Sequence, residues 1–409
     1  MSDWRETSFG SIPKEWKVIK FSDALKIKGR IGWKGYKTSD LRESGPIVIG
    51  GVNIKSNIYL DYSTLTHLSR EKYEESPDIM LKKGDVILVT RGNGIGDVGR
   101  FNGEYCEATI NPSVVIISDF CGDSKFLYYF LVSPLGRDQV LSLEGGSSIP
   151  ALYQGLLKTL ELPFPEMSHQ KAISDILSSL DDKIDLLHRQ NKTLEAMAET
   201  LFQQWFIVDA KAYWEEKPLS GIANFLNGLA CQKYPPKNAL DKLPVLKIRE
   251  LGSGISDSSD WASTDIKPEY IVETADVIFA WSASLIVKIW DGEKCILNQH
   301  LFKVTSADYP KWFYFMWCKH HLEEFIAISE SHATTMGHIK RGDLDAAMVL
   351  VPKDDELQIM TIQMTALLNK QIAISKQIKT LEKLRDTLLP KLMNGEVRIL
   401  NSKKLLETN

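Results

Sequence analysis

Three stretches of the chain hold residue types that do covalent chemistry, and each lacks a part. Asn111-Pro112-Ser113-Val114 has the outline of the Asn-Pro-Pro-Tyr pattern with which adenine methyltransferases hold a flipped base. Val114 offers no ring for stacking, and no convincing glycine-rich cofactor loop accompanies it. Glu215-Glu216-Lys217 matches one half of a nuclease pattern, without the Pro-Asp pair that should precede it. His320-His321, His332 and His338 do not fall at zinc-protease spacing, and no G-x-x-x-x-G-K-[ST] occurs. Cys106, Cys121, Cys231, Cys295 and Cys318 are far apart and form no C-x-x-C, so scattered buried thiols are expected, not a zinc ribbon or redox pair. The expectation is a chain with no catalytic residue, no metal site and no cofactor of its own.

Other residues suit binding. Between Lys14 and Lys37 stand eight basic side chains, among them Lys28, Arg30 and Lys34, against only Glu15 and Asp23. Trp33 and Tyr36 interleave with them. Cations clamp phosphates and aromatics contact grooves; a solvated strand face is the competing reading. A second stretch, Thr90-Arg91-Gly92-Asn93-Gly94-Ile95-Gly96, joins glycines that let backbone approach a groove to Arg91 and Asn93. Those two side-chain types pair bidentately with guanine and adenine edges. Its counterpart later in the chain is Trp281-Ser282-Ala283-Ser284. A third stretch is Gly145-Gly146-Ser147-Ser148, matched by His332-Ala333-Thr334-Thr335 with Lys340 and Arg341 just beyond. A plain turn is the alternative for any one of these residues.

Any such attraction must be local. The 409 residues carry 49 Lys plus Arg and 53 Asp plus Glu, for a net charge of −4, so no strong overall field draws the protein to polyanions or membranes. Apolar residues at 44% and charged residues at 25% are values of folded, water-soluble protein, which excludes disordered and collagen-like chains. At roughly 100–200 residues per domain the length allows two to four domains. The polar start Met1-Ser2-Asp3-Trp4-Arg5-Glu6 has no signal-peptide core, and no apolar run approaches the ~18 residues of a membrane span. A cytoplasmic protein without membrane contact is expected.

The elements that position these residues come twice. Lys83-Gly84-Asp85-Val86-Ile87 is echoed by Thr274-Ala275-Asp276-Val277-Ile278 at a shift of 191. Asn111, Ser147, Pro165 and Leu194 are echoed by Asn298, Thr334, Pro352 and Leu381, all at a shift of 187. A constant shift over separate blocks marks a duplicated unit of about 190 residues. Each copy begins with short β-branched runs punctuated by Gly, Asn and Pro, a strand-and-turn signature with some helix. Each then turns into a long heptad pattern. In the first copy the seam runs through Leu180, Ile184, Leu187, Asn191, Leu194 and Leu201. In the second it runs through Leu367, Gln371, Ile374, Ile378, Leu381 and Leu388. Asn191 and Gln371 are polar residues on the two seams, off register with each other, of the kind that fix register. The alternative is that each helix packs on its own domain.

A compact domain often has its termini close together, so the second β-rich body should turn the chain back and set the helices antiparallel. The expected architecture is α+β: two similar β-rich α/β globular domains separated by two long antiparallel coiled-coil helices, with a pseudo-two-fold internal repeat. The 39 residues from Ser168 to Phe206 would span about 58 Å at ~1.5 Å per residue. Modules on such a strut could meet equivalent groove positions roughly 34–36 Å apart. The chain's two ends should approach each other.

With these residues in view, the chain closely resembles the specificity subunit of type I restriction–modification systems. The likeness is carried by Leu194-Glu195-Ala196-Met197-Ala198-Glu199-Thr200-Leu201-Phe202-Gln203-Gln204-Trp205-Phe206, by Leu384 to Val397, by Leu297 to Val304 and by Ile12-Pro13-Lys14-Glu15-Trp16. The resemblance implies target recognition domains at 1–166 and 210–355. It implies conserved spacer helices at 167–209 and at 356–409, the latter with a C-terminal tail. It implies double-stranded DNA and two methyltransferase subunits as partners, with a restriction–motor subunit able to join. S-adenosylmethionine, ATP and Mg²⁺ would belong to those partners. Each recognition domain would read half of an asymmetric bipartite target. A coiled-coil interaction scaffold without DNA binding is the alternative.

Overall fold

The computed structural model describes residues 4–7, 10–30, 35–55, 58–145, 151–331 and 337–397. The chain divides into two compact units. One comprises Met1–Asp185 with Thr380–Asn409, the other Leu186–Lys379. Each holds one β-rich body and a stretch of each of two long helices, Met167–Gln203 and Asp354–Met393. Among the described residues no helix is long and apolar enough to cross a membrane.

In the first unit an antiparallel sheet has the strand order Lys26–Gly29, Val114–Ser118, Val86–Val89, Val98–Arg100. A second sheet pairs Leu41–Ile49 antiparallel with Thr66–Leu68 and parallel with Ala108–Ile110. Lys17–Lys20 pairs with Glu161–Phe164. Val86 and Leu88 point into a core with Phe126, Tyr129 and Phe130 of the helix Ser124–Val132. Ile87 and Val89 point the other way, against Ile47, Ile49 and Ile110. A strand covered on both faces must be apolar throughout, which is why Val86–Val89 reads as a continuous run with no alternation.

The second unit repeats the plan of these sheets, with Ile271–Val272 added antiparallel to Cys295–Leu297 and, among the described residues, no counterpart of the first unit's hairpin Trp4–Thr7 with Gly10–Pro13. Its sheet order is Asn224–Asn227, Leu301–Thr305, Val277–Ala280, Ile286–Ile289. Lys242–Leu246 lies antiparallel to Trp261–Ser263 and parallel to Cys295–Leu297. Glu215–Pro218 pairs with Met348–Val351. The strand holding Glu215 and Lys217 is therefore structural, and Lys217 Nζ is bonded to Tyr309 Oη at 3.2 Å. The echo at Gly84 and Ala275 is a shared turn. Asp85 Oδ2 accepts the Lys82 N–H (2.7 Å), and Asp276 Oδ2 accepts the Glu273 N–H (2.8 Å). Gly84 has φ +97°, and Ala275 holds the same left-handed region at +79°.

Within each unit the helix stretches run antiparallel. In the first, Asp181 Oδ1 accepts from Arg385 Nη1 at 2.9 Å, while Ile173 and Leu177 share a core with Leu389 and Leu392. In the second, Asn191 Nδ2 donates to Ser375 Oγ at 3.0 Å, while Ala198 and Phe202 share a core with Met364 and Leu368. Asn191 thus pairs with Ser375; Gln371 is half-buried beside a hollow lined by His188, Asn191 and Trp290. Ile184, Leu187, Ile374 and Ile378 are buried, and Leu180, Leu194, Leu201, Leu367, Leu381 and Leu388 are half-buried. The helices also pack on their own globular bodies, so the two sequence readings hold together. Ser174 Oγ bonds Asp123 (2.7 Å), Lys125 Nζ bonds Ser178 Oγ (3.0 Å), and Tyr129 Oη donates to Asp181 Oδ2 (2.7 Å). After the second helix, Gly395 at φ +77° lies against Pro13 and Trp16, where a Cβ would sit 2.5 Å from the proline ring.

Two stability outcomes follow. Asp181 is 2% exposed and carries both Tyr129 and Arg385. Asp181→Ala leaves the Tyr129 phenol without its acceptor and the Arg385 guanidinium with Asp386 alone, and should cost about 3 kcal/mol. Thermal unfolding reads this loss, and adding Arg385→Met should recover much of it. Ala275→Gly relieves the left-handed alanine and should raise stability by about 0.5–1 kcal/mol after the entropic cost of glycine, read by urea unfolding.

Candidate nucleic-acid interface

Strand register brings the suspected loops of the first unit to one end of one sheet. Gly29 faces Val115, and Val89 faces Val114, so the chain leaves both neighbours of the strand Val114–Ser118 where that strand begins. The Ser113 carbonyl accepts the N–H groups of Thr90 (2.8 Å) and Arg91 (3.2 Å). Arg91 bridges Ala151, Leu152 N–H donates to the Thr90 carbonyl at 3.0 Å, and Gly145 bridges Ala151. Asn111 Oδ1 caps the Ser113 N–H at 2.9 Å, so Asn111-Pro112-Ser113 is a turn support. A concavity of about 380 Å³ lies here, lined by Arg30, Gly35, Thr90, Arg91, Tyr153 and Gln154 among others.

The side chains divide by what they already touch. Arg91 and Asn93 are exposed, next to Gly92 at φ +94°. Tyr153 is 54% exposed. Arg30 is different: it is 8% exposed, and its Nε donates to the Ile110 carbonyl at 2.5 Å. Its Nη2 reaches Thr109 Oγ1 at 3.3 Å, and the Tyr36 ring lies 5.7 Å from its guanidinium carbon. Burial lowers the Arg30 pKa and raises that of Tyr36. Arg30 is thus a strut under the second sheet and not an open phosphate clamp. Lys28 sits mid-strand opposite Ile116 and acts electrostatically on Asp85 and Asp119, away from the loop cluster. Lys34, Ser147 and Ser148 lie outside the described residues, as do Thr334 and Thr335 of the second unit.

The second unit closes the same end in the same way. Trp281 N–H donates to the His300 carbonyl (3.3 Å), Ser282 bridges His338, and Ile339 N–H donates to the Trp281 carbonyl (3.1 Å). The side chains differ. Trp281 stacks on Phe302 at 5.6 Å and its Nε1 donates to Asn227 Oδ1 at 3.1 Å. Ser282 is buried and its Oγ is spent on His300 Nδ1 at 3.1 Å, so it cannot serve as a surface hydroxyl. Ser284 is exposed. Lys340 is exposed and its backbone N–H is capped by Asp343 at 2.6 Å. Arg341 is exposed, but it lines a hollow of about 470 Å³ with Asn224, Asp308 and Asp345, toward the opposite end of the sheet from His300.

Sequence reasoning passed over Tyr153 and Gln154, although the 187-residue shift applied to Lys340 and Arg341 lands on them. It also passed over residues 228–241, the topological counterpart of the loop after Gly29. Lys233, Tyr234 and Lys237 interleave there, Leu240 is 98% exposed, and Lys242 lies over the Trp261 ring at 4.4 Å. The same mixture of cations and aromatics that marked Lys14 to Lys37 was the available signal. Together the two sheet ends offer guanidinium, carboxamide, ammonium and aromatic groups, a set suited to phosphate and base edges.

A family profile described as the type I restriction modification DNA specificity domain matches residues 13–196 and 212–383. The MjaIX type I restriction enzyme specificity subunit of Methanocaldococcus jannaschii is 26% identical, over 97% of this chain and 97% of its own. The HindI specificity subunit of Haemophilus influenzae is 19% identical, over 97% of this chain and 100% of its own. The crystal structure of the S subunit of a type I restriction–modification system from M. genitalium covers 92% of this chain and 96% of its own. Its TM-score is 0.58 at 16% identity, a likeness of fold.

The separation of strut from surface has a measurable consequence. Arg30→Ala orphans the buried Ile110 carbonyl and should cost about 2–3 kcal/mol. Arg30→Lys should restore little, because a point charge cannot replace the planar fork. Thermal unfolding checks both.

Proposed function

This chain belongs to the type I restriction modification DNA specificity family, and from that premise we propose that each unit reads one half of a two-part DNA target. The observation that carries the proposal is the matched closure at Ser113 and His300. One backbone device presents Arg91, Tyr153 and Gln154 in one unit and Trp281 and Lys340 in the other. The same frame with unlike side chains implies unlike half-sites. A scaffold that never meets DNA is not favoured.

Residues 1–166 and 210–355 are then the recognition domains, and 167–209 and 356–409 supply the helices that set the gap and dock two methyltransferase subunits. In support, both helices keep large apolar side chains in solvent: Met167, Leu186 and Met197 on the first, Ile359, Ile362 and Leu384 on the second. Such residues on an already paired helix are suited to a further protein surface. The methyl transfer would be the partners' work with S-adenosylmethionine. ATP and Mg²⁺ would serve a restriction–motor subunit, and the assembly would act in the cytoplasm. This chain contributes the address and performs no bond-breaking step.

The test is an exchange. Residues 210–355 are replaced by the second domain of another family member, the chimera is co-expressed with its methyltransferase subunit, and methylation is mapped across the host genome. One half of the methylated sequence should change and the other persist. A change in both halves, or in neither, would refute the modular reading.

A further inference from the structure

The first unit spends nearly all of its arginines on itself. Arg5 bonds the Trp16 carbonyl, Arg30 that of Ile110, Arg42 that of Ser39, and Arg100 the Ser124 hydroxyl. Arg70 pairs with Glu107, Arg137 with Asp97 and Arg385 with Asp181. Among the described residues of this unit, Arg91 alone has a guanidinium with no hydrogen-bond or ion-pair partner. Its backbone is the reverse of free. The N–H is held by the Ser113 carbonyl, and the residue bridges Ala151. A fork of donors with a fixed root and an open tip is what a rigid reading head requires.

Gln154 lines the same concavity. Its carboxamide packs across Gly29, where a Cβ would stand 2.3 Å from Nε2, and it too has no hydrogen-bond partner among the described residues. A half-buried carboxamide gives up hydration unless something pairs with it. Arginine presents two donors that match guanine O6 and N7; glutamine presents a donor and an acceptor that match adenine N7 and N6. Tyr153, packed against Gly145 and exposed on its outer side, walls the cleft.

We propose that Arg91 is a specificity-determining residue that reads a guanine in the first unit's half-site, with Gln154 beside it reading an adenine. The proposal rests on the two-half reading above and adds the chemistry of one half. The second unit cannot copy it. Arg91's structural counterpart is the buried Ser282, and Gln154's is Arg341. The two halves therefore place their guanidinium at different points of the same frame.

The complex of this chain with its methyltransferase subunits is assembled, and its methylated sequence is mapped with the wild-type chain. The domain exchange shows which half belongs to the first unit. If no two-part sequence is methylated, the functional reading fails before this proposal is reached. If one is methylated and the first unit's half contains no guanine, the proposal is overturned. Otherwise duplexes are made with 7-deazaguanine at each guanine of that half, removing N7 alone. The wild-type complex should lose roughly tenfold or more in affinity at one position, whereas Arg91→Ala, weaker overall, should lose nothing further there. Gln154→Ala should relax a neighbouring adenine and leave the other half unchanged. Arg91→Lys separates base from phosphate. If lysine restores wild-type affinity while the alanine and lysine variants remain as sensitive to 7-deazaguanine as wild type, the contact is to backbone phosphate and the proposal is wrong.

Discussion

A carboxylate shut away from water holds the first unit together. Asp181 sits on the first long helix, yet its two oxygens are taken by Tyr129 of the globular body and Arg385 of the second helix. A buried charge without partners is too costly to keep, so these three segments cannot separate without exposing it. Burial and the nearby carboxylate push the Tyr129 phenol well above its usual range, so it stays a donor. Arg385 is held charged by Asp181 and Asp386 despite its own burial. The contact therefore sets helix register, helix direction and the seat of the β-rich body in one place.

The second unit reaches the same arrangement with half-exposed ion pairs and neutral groups: Lys319 Nζ of its globular body donates to Glu195 (2.5 Å) and Glu199 (2.6 Å) of the first long helix. Asn191 meets Ser375, and Trp312 Nε1 donates to Thr361 Oγ1 at 3.0 Å. Glu356 accepts from Tyr213 and from Trp214, which hold its carboxyl below the usual range. The load passes to aromatic packing: Phe202, Phe206, Trp312, Phe313 and Trp317 fill the space between helix and sheet. One duplicated backbone thus tolerates, at its helix seat, a buried charge pair in one copy and aromatic packing rimmed by exposed charges in the other. The same tolerance at the loop ends lets two copies of a fold carry different readings.

Much of the fold was legible beforehand. The 187-residue shift survives as the same strand order in the four-stranded antiparallel sheet of each unit, and the heptads survive as paired helices, because burial imposes a period on the sequence wherever an apolar face must be covered. Asn191 and Gln371 are off register with each other in the sequence, and they do not pair; what the heptads do not name is the partner that Asn191 takes. Asn191 finds Ser375, four residues from Gln371, because antiparallel register is set by whole faces and not by the two polar outliers. Asp181, Ser174 and Ser178 were silent in the heptad pattern because they serve a second helix face turned to the globular body.

The sequence alone determined the duplication, the strand-then-helix order of each copy and the regions where loops would gather. These follow from local spacing and from the demand that apolar residues be buried. Only the tertiary structure decided which polar side chains are left to act. Arg30 and Arg91 look alike on paper. One is taken by a carbonyl 80 positions away, and the other is fixed at its root and free at its tip. Ser282 and Ser284 divide in the same way, because His300 reaches only the first. Whether a donor is available depends on what distant backbone or side chain arrives beside it, and no spacing rule along the chain records that arrival.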